Sequence, residues 1–354
     1  MVKKALSTKP IKIWLNGKVF CVQRLNHLKN SGKVVQESAE TDVQSSIDSQ
    51  EYSQLLEIVQ ENEKFTTNIN LPSVYYSKMR NFPQFNLRKA CEEIGTEILM
   101  KKDALSLSST NIDSLYRAVS LTHSTIGAIR QQNMALQFTC IPCTSPNIQE
   151  RFINLKKEIL CMKSEIPGLH ESIFICPLKL HVTIDVYSLF DENEMGEAIK
   201  SLYEYKDTME KILLKTGPLQ LDVGTLACMN ENLKRTDVLY ANVKLFNEQE
   251  KFNLQKIVDD IAEHFYHKGL ARNPQDKVKL HMTIINTKYR KNEGRKRKWQ
   301  KQSIDASKII EKFKDYSFGR CDFNSIHLSQ IHTKGDNGFY KPLAVIEFHN
   351  KVNL

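Results

Sequence analysis

Glycine and proline are scarce, 13 and 10 among 354 residues, which excludes collagen-like and Pro/Gly-disordered chains. No run approaches 18 consecutive apolar residues, so neither a membrane span nor a membrane partner is expected. The opening MVKKALSTKPIK carries charge without an apolar core and is not expected to act as a secretory signal. Eight irregularly spaced cysteines do not form a disulfide framework; they read as reduced thiols of cytosol or nucleus. Cys140 and Cys143 match Cys-x-x-Cys but sit at a strand end with no second pair nearby, so no metal is expected. No cofactor is expected either.

What is present is an uneven charge. The net charge is +9. Residues 288–301, KYRKNEGRKRKWQK, contribute +7 of it through Lys288, Arg290, Lys291, Arg295, Lys296, Arg297, Lys298 and Lys301 against Glu293. The rest of the chain is close to neutral. A single basic loop suits a phosphate-bearing partner or nuclear import, and otherwise reads as a solvated loop.

At about 150 residues per domain the length suggests two domains. In residues 11–22, IKIWL-NG-KVFCV, two apolar runs flank Asn16-Gly17, a strong hairpin signal. Residues 1–29 are therefore expected to form a hairpin-like docking segment, and the polar residues 30–60 a flexible linker. Residues 61–132 read as β-α-α-β-β-α, with a last helix striped by Ile112, Leu115, Val119, Ile126 and Ile129. Residues 133–354 form the larger domain. Its expected strands are 136–142, 180–189, 219–227, 238–245, 280–286, 321–331 and 343–348. Four amphipathic helices lie between them. One starts at Ser145-Pro146 and buries Ile148, Phe152, Leu155 and Ile159. Another is capped by Asp191 with Glu194 three residues on. A third buries Leu254, Ile257, Ile261 and Phe265, and the fourth covers residues 306–313.

This larger domain repeats itself. A strand (FTCIP), a helix and KLHVTID are followed later by a strand (VLYANVKL), a helix and KLHMTII. The spans are nearly equal, which suggests duplication about a pseudo-two-fold axis. In a strand, alternate side chains share a face. His181 and Thr183 thus point one way, as do His281 and Thr283, while Leu180, Val182, Ile184 and their counterparts point to the core. Two imidazoles and two hydroxyls in one groove suit phosphodiester chemistry without metal. One neutral His takes a proton from the attacking hydroxyl or water, and the other protonates the leaving oxygen. The threonines donate to non-bridging oxygens.

KLHVTI and KLHMTI resemble the paired His-x-Thr/Ser signatures of the 2H phosphoesterase superfamily, over roughly residues 136–350. The resemblance implies acid/base roles for His181 and His281 and phosphate-binding roles for Thr183 and Thr283. It implies an α+β fold: a degenerate KH-like βααββα domain followed by a duplicated domain of two antiparallel sheets with flanking helices. The whole layout also resembles subunits of a nuclear transcription-coactivator and alkylation-repair complex. That resemblance implies RNA or other nucleic-acid ends as substrate, a helicase and further complex subunits as partners, and the nucleus, with the cytoplasm as a second location.

A KH domain grips the nucleic-acid backbone through a G-x-x-G loop. Here residues 82–85 read Phe-Pro-Gln-Phe, followed by Arg88 and Lys89. Both glycines are missing and Pro83 lacks a donor. Arg88 and Lys89 remain as candidate phosphate contacts, together with Lys288, Arg290, Arg295, Lys296, Arg297 and Lys298. His327 and His332 are further candidates near the groove; His264 and His267 read as a solvated helix end. The leading expectation is a phosphoesterase acting on RNA-type phosphodiester or cyclic phosphate ends. A non-catalytic nucleic-acid-binding or scaffolding subunit is the alternative.

Overall fold

The computed structural model describes residues 11–15, 18–22, 57–80, 86–246, 253–272, 276–291 and 302–348. Two units partition the chain, Met1–Ile129 and Arg130–Leu354.

In the first unit, β1 (Ile11–Leu15) pairs antiparallel with β2 (Lys18–Val22) in the register Ile11↔Val22 to Leu15↔Lys18. This is the hairpin expected from Asn16-Gly17, which itself lies outside the described residues. A four-stranded antiparallel sheet follows, in the order β3-β4-β6-β5. Its strands are β3 (Ile58–Glu61), β4 (Lys64–Asn70), β5 (Thr96–Met100) and β6 (Ala104–Ser109). The helices are α1 (Val74–Arg80), α2 (Leu87–Glu93) and α3 (Ile112–Gln132). From β4 onward the order is β-α-α-β-β-α, as the periodicity predicts. The expected linker reaches too far, because Ile58–Glu61 is a strand paired with β4. The tight turn between β3 and β4 uses Asn62 and Glu63, both at positive φ (46° and 63°). Such turns match strand twist, but usually carry glycine and so escape a sequence reading. Tyr75, Cys91, Leu105, Leu107 and Leu115 form the fully buried centre.

The second unit carries an eight-stranded antiparallel sheet in the order β12-β9-β10-β11-β8-β7-β13-β14. Its strands are β7 (Gln137–Pro142), β8 (His181–Tyr187), β9 (Gln220–Cys228), β10 (Val238–Leu245), β11 (His281–Asn286), β12 (Ser317–Asp322), β13 (Ser325–Gln330) and β14 (Pro342–Glu347). Its helices are α4 (Pro146–Cys161), α5 (Glu192–Thr216), α6 (Leu254–His267) and α7 (Ser307–Phe313). The sheet is two antiparallel four-stranded halves. They meet between β8 and β11 through one register pair, Met282↔Val182.

The repeat extends to local irregularities. The β7–β8 register shifts at Thr139/Cys140, and the β10–β11 register shifts at Leu239/Tyr240. Each bulge puts two consecutive residues on the core side, so alternation breaks at the same point of each copy. Ile184 and Asp185 are both buried, and so are Ile284 and Ile285. The predicted helix stripes are the buried ones: Ile148, Phe152, Leu155 and Ile159 on α4, and Leu254, Ile257, Ile261 and Phe265 on α6. Asp191 caps α5 by accepting from the Glu194 amide, and Glu194 accepts from the Phe190 amide.

The strand expected over 321–331 is in fact two strands, broken at Phe323-Asn324. β12 and β13 stand first and seventh in the sheet. In a flat sheet they would be about 29 Å apart, at about 4.8 Å per strand. The two residues joining them reach at most about 11 Å. The sheet is therefore curled, bringing the ends of its two halves together.

Candidate functional site

Each His-x-Thr opens its strand. His181 and Thr183 are half-buried on one face of β8, with Val182 and Ile184 sealed into the core on the other; β11 repeats this with His281, Thr283, Met282 and Ile284. Around the Met282↔Val182 pair, antiparallel register sets His181 across from Thr283 and Thr183 across from His281. The sequence-predicted quartet is thus brought to one face at the seam. Neither threonine hydroxyl has a hydrogen-bond partner among the described residues.

The two rings are held alike. His181 Nδ1 donates to the Lys179 carbonyl at 2.7 Å, and His281 Nδ1 donates to the Lys279 carbonyl at 2.7 Å. A carbonyl only accepts, so Nδ1 carries the proton and Nε2 keeps its lone pair in the neutral ring. The lysine two residues before each histidine also lies over an aromatic ring. Lys179 Nζ is 4.3 Å from the Tyr340 centroid, and Lys279 Nζ is 4.9 Å from the Tyr240 centroid.

The surroundings of the rings differ. His181 contacts Phe138 at 5.2 Å, Tyr340 at 5.4 Å and Phe339 at 6.3 Å between centroids. Among the described residues, His281 contacts one ring, Tyr240, at 5.5 Å. Cys140 stands opposite Thr183 where Tyr240 stands opposite Thr283, and the small Cys140 packs with Phe138 and Phe339. Burial pushes the His181 imidazole down to about 4, with the charges of His281 and Lys179 acting the same way. Burial also lowers His281, followed by the charge of Lys279.

Phe138, Phe339, Tyr340 and Tyr240 were missed by sequence reasoning. The repeated lysine two residues before each His was the available signal, since in both copies its ammonium lies over one of these rings. Tyr340 and Phe339 come from a loop far along the chain, and no local pattern announces them.

The other candidates are dispersed. Arg290 donates to the carbonyls of Gly168 and Gln302, so its guanidinium braces two backbone segments rather than facing a groove. Lys288 is exposed on the turn after β11. Arg295, Lys296, Arg297 and Lys298 lie outside the described residues, as do residues 82–85. In the first unit Arg88 and Lys89 are exposed on α2 and pair with Glu92 and Glu93, each one turn on. Their charge is thus partly matched within their own helix. His332 is exposed, whereas His327 is half-buried beside Phe339. Cys140 and Cys143 are fully buried free thiols. No cluster of three or more His, Cys, Asp or Glu suited to a metal occurs among the described residues, and no described helix is long and apolar enough to cross a membrane.

Residues 137–348 match the AKAP7 2′5′ RNA ligase-like domain. The chain belongs to this family. The AKAP7 2′5′ RNA ligase-like match spans all eight strands of the second unit. Over 343 residues the chain is 27% identical to activating signal cointegrator 1 complex subunit 1 of Mus musculus, covering 91% of this chain and 96% of that protein. Among solved structures, a phosphoesterase aligns with TM-score 0.34 and 10% identity over 61% of this chain and 99% of its own. LigT of E. coli, complexed with NADP+, aligns with TM-score 0.32 and 11% identity over 60% of this chain and 97% of its own.

Proposed function

We propose that the Arg130–Leu354 unit is a 2H-type phosphoesterase acting on RNA-type phosphodiester or cyclic phosphate ends with side chains alone. The observation that carries this reading is the pair of imidazoles on one face of adjacent strands, each tied at Nδ1 to its own backbone. Both Nε2 atoms are left for the reaction. With a cyclic phosphate, water attacks phosphorus and His181 Nε2 takes its proton. His181 suits the base role because its crowded, desolvated ring stays neutral near pH 7. The bond from phosphorus to one ribose oxygen breaks, and His281, entering as imidazolium, gives its Nε2 proton to that oxygen and becomes neutral. Thr183 and Thr283 donate to the non-bridging oxygens as their charge grows. A positioned acid or base is worth about 10²–10⁴-fold.

The test is hydrolysis of 2′,3′-cyclic nucleotides and RNA oligonucleotides with chelator present. Turnover lost in both His181→Ala and His281→Ala, with circular dichroism unchanged, supports the reading. Turnover that survives both substitutions overturns it.

A second reading is favoured by the similarity to the mouse cointegrator subunit along nearly the whole chain. We read the protein as a subunit of such a nuclear complex, with a helicase among its partners and work in transcription and alkylation repair. The β1–β2 hairpin is its docking element, and the β4-to-α3 order supports a KH-like first unit. Deleting residues 1–50 is expected to release the protein from the complex in pull-downs from nuclear extract; unchanged retention rejects the hairpin as the contact.

A further inference from the structure

Cys140 and Cys143 match Cys-x-x-Cys, but the fold gives Cys143 a different neighbour. Cys140 packs with Phe138 and Phe339, whereas Cys143 lies in the main core together with Cys321. Cys143 follows β7, and its amide donates to the Leu180 carbonyl at 2.9 Å. Cys321 is on β12, opposite Leu221 of β9. β7 and β12 belong to different halves of the sheet. Helix α4 brings them together. It begins three residues after Cys143 and is pinned along β12. Arg151 donates to the Ser317 carbonyl at 3.1 Å, and Tyr316 Oη donates to the Arg151 carbonyl at 2.8 Å. At Gly319, with φ of 88°, an added Cβ would stand 2.8 Å from Asn147 Nδ2, so the helix rests directly on the strand. The Cys143 and Cys321 thiols meet here, joined by a hydrogen bond.

The two thiols differ in access. Cys143 is fully buried, while Cys321 is 6% exposed and forms part of the wall of a pocket of about 300 Å³. Pro142 and Thr144, on either side of Cys143, line the same pocket. A water-sized oxidant that enters it reaches Cys321 first and finds Cys143 behind. The hydrogen bond with Cys321, and then burial, hold the Cys143 thiol well above its ordinary value, so Cys143 keeps its proton. Burial in apolar surroundings slows thiol chemistry, which makes any response here slow and confines it to small reagents. A bond between the sulfurs needs them at about 2.05 Å. β12 can yield to that approach, because among the described residues it pairs on one side only, with β9.

We propose that Cys143 and Cys321 form a reversible disulfide when the protein meets a hydroperoxide, and that this bond staples the two halves of the sheet together. The pair stands apart from the histidines, and the proposal holds whether or not the protein is a phosphoesterase. With hydrogen peroxide, one peroxide oxygen joins the Cys321 sulfur as a sulfenic acid and the other leaves as water. The Cys143 sulfur then attacks the Cys321 sulfur. The S–O bond breaks, and hydroxide departs with the Cys143 proton as a second water. The two sulfurs lose two electrons in all, and the peroxide gains them. A thiol reductant reverses the bond by exchange. The closed loop takes in residues 143–321, most of the second unit, and long loops restrict the unfolded chain most.

In the experiment the full chain is treated with hydrogen peroxide, blocked with N-ethylmaleimide and digested with trypsin without reductant. Mass spectrometry is expected to find the peptide of residues 131–151 joined to that of residues 321–334, two hydrogens lighter than their sum. Cys140 shares the first peptide, so Cys140→Ser is expected to keep the link and Cys143→Ser to lose it. The oxidised wild type is expected to melt about 5–10 °C above the reduced protein. Dithiothreitol reverses that rise, and Cys321→Ala does not show it. A bond between Cys140 and Cys143 overturns the proposal, as does oxidation confined to the exposed Cys161 and Cys176. A Cys143–Cys321 link that leaves the melting temperature unchanged overturns the staple. These wild-type outcomes decide the matter even where a substitution prevents folding.

Discussion

Val182 and Met282 are the register pair through which the two four-stranded halves of the sheet meet. Both are fully buried, and each sits between a histidine and a threonine of the site. The seam thus fixes the distance across which the two rings work. Met282→Ala is expected to cost about 2–5 kcal/mol, as truncation of a buried side chain does, and to lower kcat more than it raises KM. Urea denaturation and steady-state kinetics on the same preparation check both effects.

The aromatic crowd around His181 makes stability depend on pH. Burial lowers this ring from 6.5 to about 4 in the folded chain, so between those values the unfolded chain binds more protons. Stability therefore falls as pH drops from about 6.5 toward 4, and this loss is complete below the folded value. His181→Gln removes this titration. Melting temperatures of the two proteins across pH 7.5 to 4 are expected to diverge below about pH 6.5, with the wild type losing more.

The threonines separate binding of the transition state from folding. Thr183→Val keeps the shape and removes the donor; a loss of about 10²–10³-fold in kcat is expected, the scale of one oxyanion donor. Thr183→Ser is expected to retain activity within about ten-fold. A valine variant as active as the wild type would remove Thr183 from the site.

Glu194 joins two features of the second unit. It pairs with Arg130, both side chains 9% exposed, and accepts from the Phe190 amide. Glu194→Ala leaves the Arg130 charge without this carboxylate, and a loss of about 3–5 kcal/mol is expected by chemical denaturation.

Arg88 and Lys89 give the opposite expectation. Both are exposed and paired along their own helix, an arrangement worth about 0.3–0.5 kcal/mol per pair. The double alanine variant is expected to change stability by less than about 1 kcal/mol. Filter binding of single-stranded RNA to this variant then reports directly on whether the two charges meet phosphate.

The quartet His181, Thr183, His281 and Thr283 was legible because strand alternation and repetition are local properties. The α4 and α6 stripes and the Asp191 cap were legible for the same reason. The bulges were not: the pattern after each His-x-Thr is apolar in one copy and contains Asp185 in the other, so a second buried residue had no signature. The break at Phe323-Asn324 was hidden because both flanking segments favour strands, and their partners are set by pairing across the whole unit. Phe339 and Tyr340 reach His181 from a loop, and such contacts have no period to read. Glu63 hid β3 because its positive φ runs against residue preference, whereas Asn62 beside it tolerates that region.

The half built on β7 and β8 is completed by β13 and β14, which come last in the chain. On the ribosome, residues 188–324 must be made before β13 can emerge. At about 5–20 residues per second that interval is on the order of ten seconds. Throughout it, the outer edge of β7 is a bare strand open to pairing with any other nascent chain. A premature stop codon near residue 324 would make that exposure permanent, so a truncated product is an aggregation seed rather than a smaller working protein.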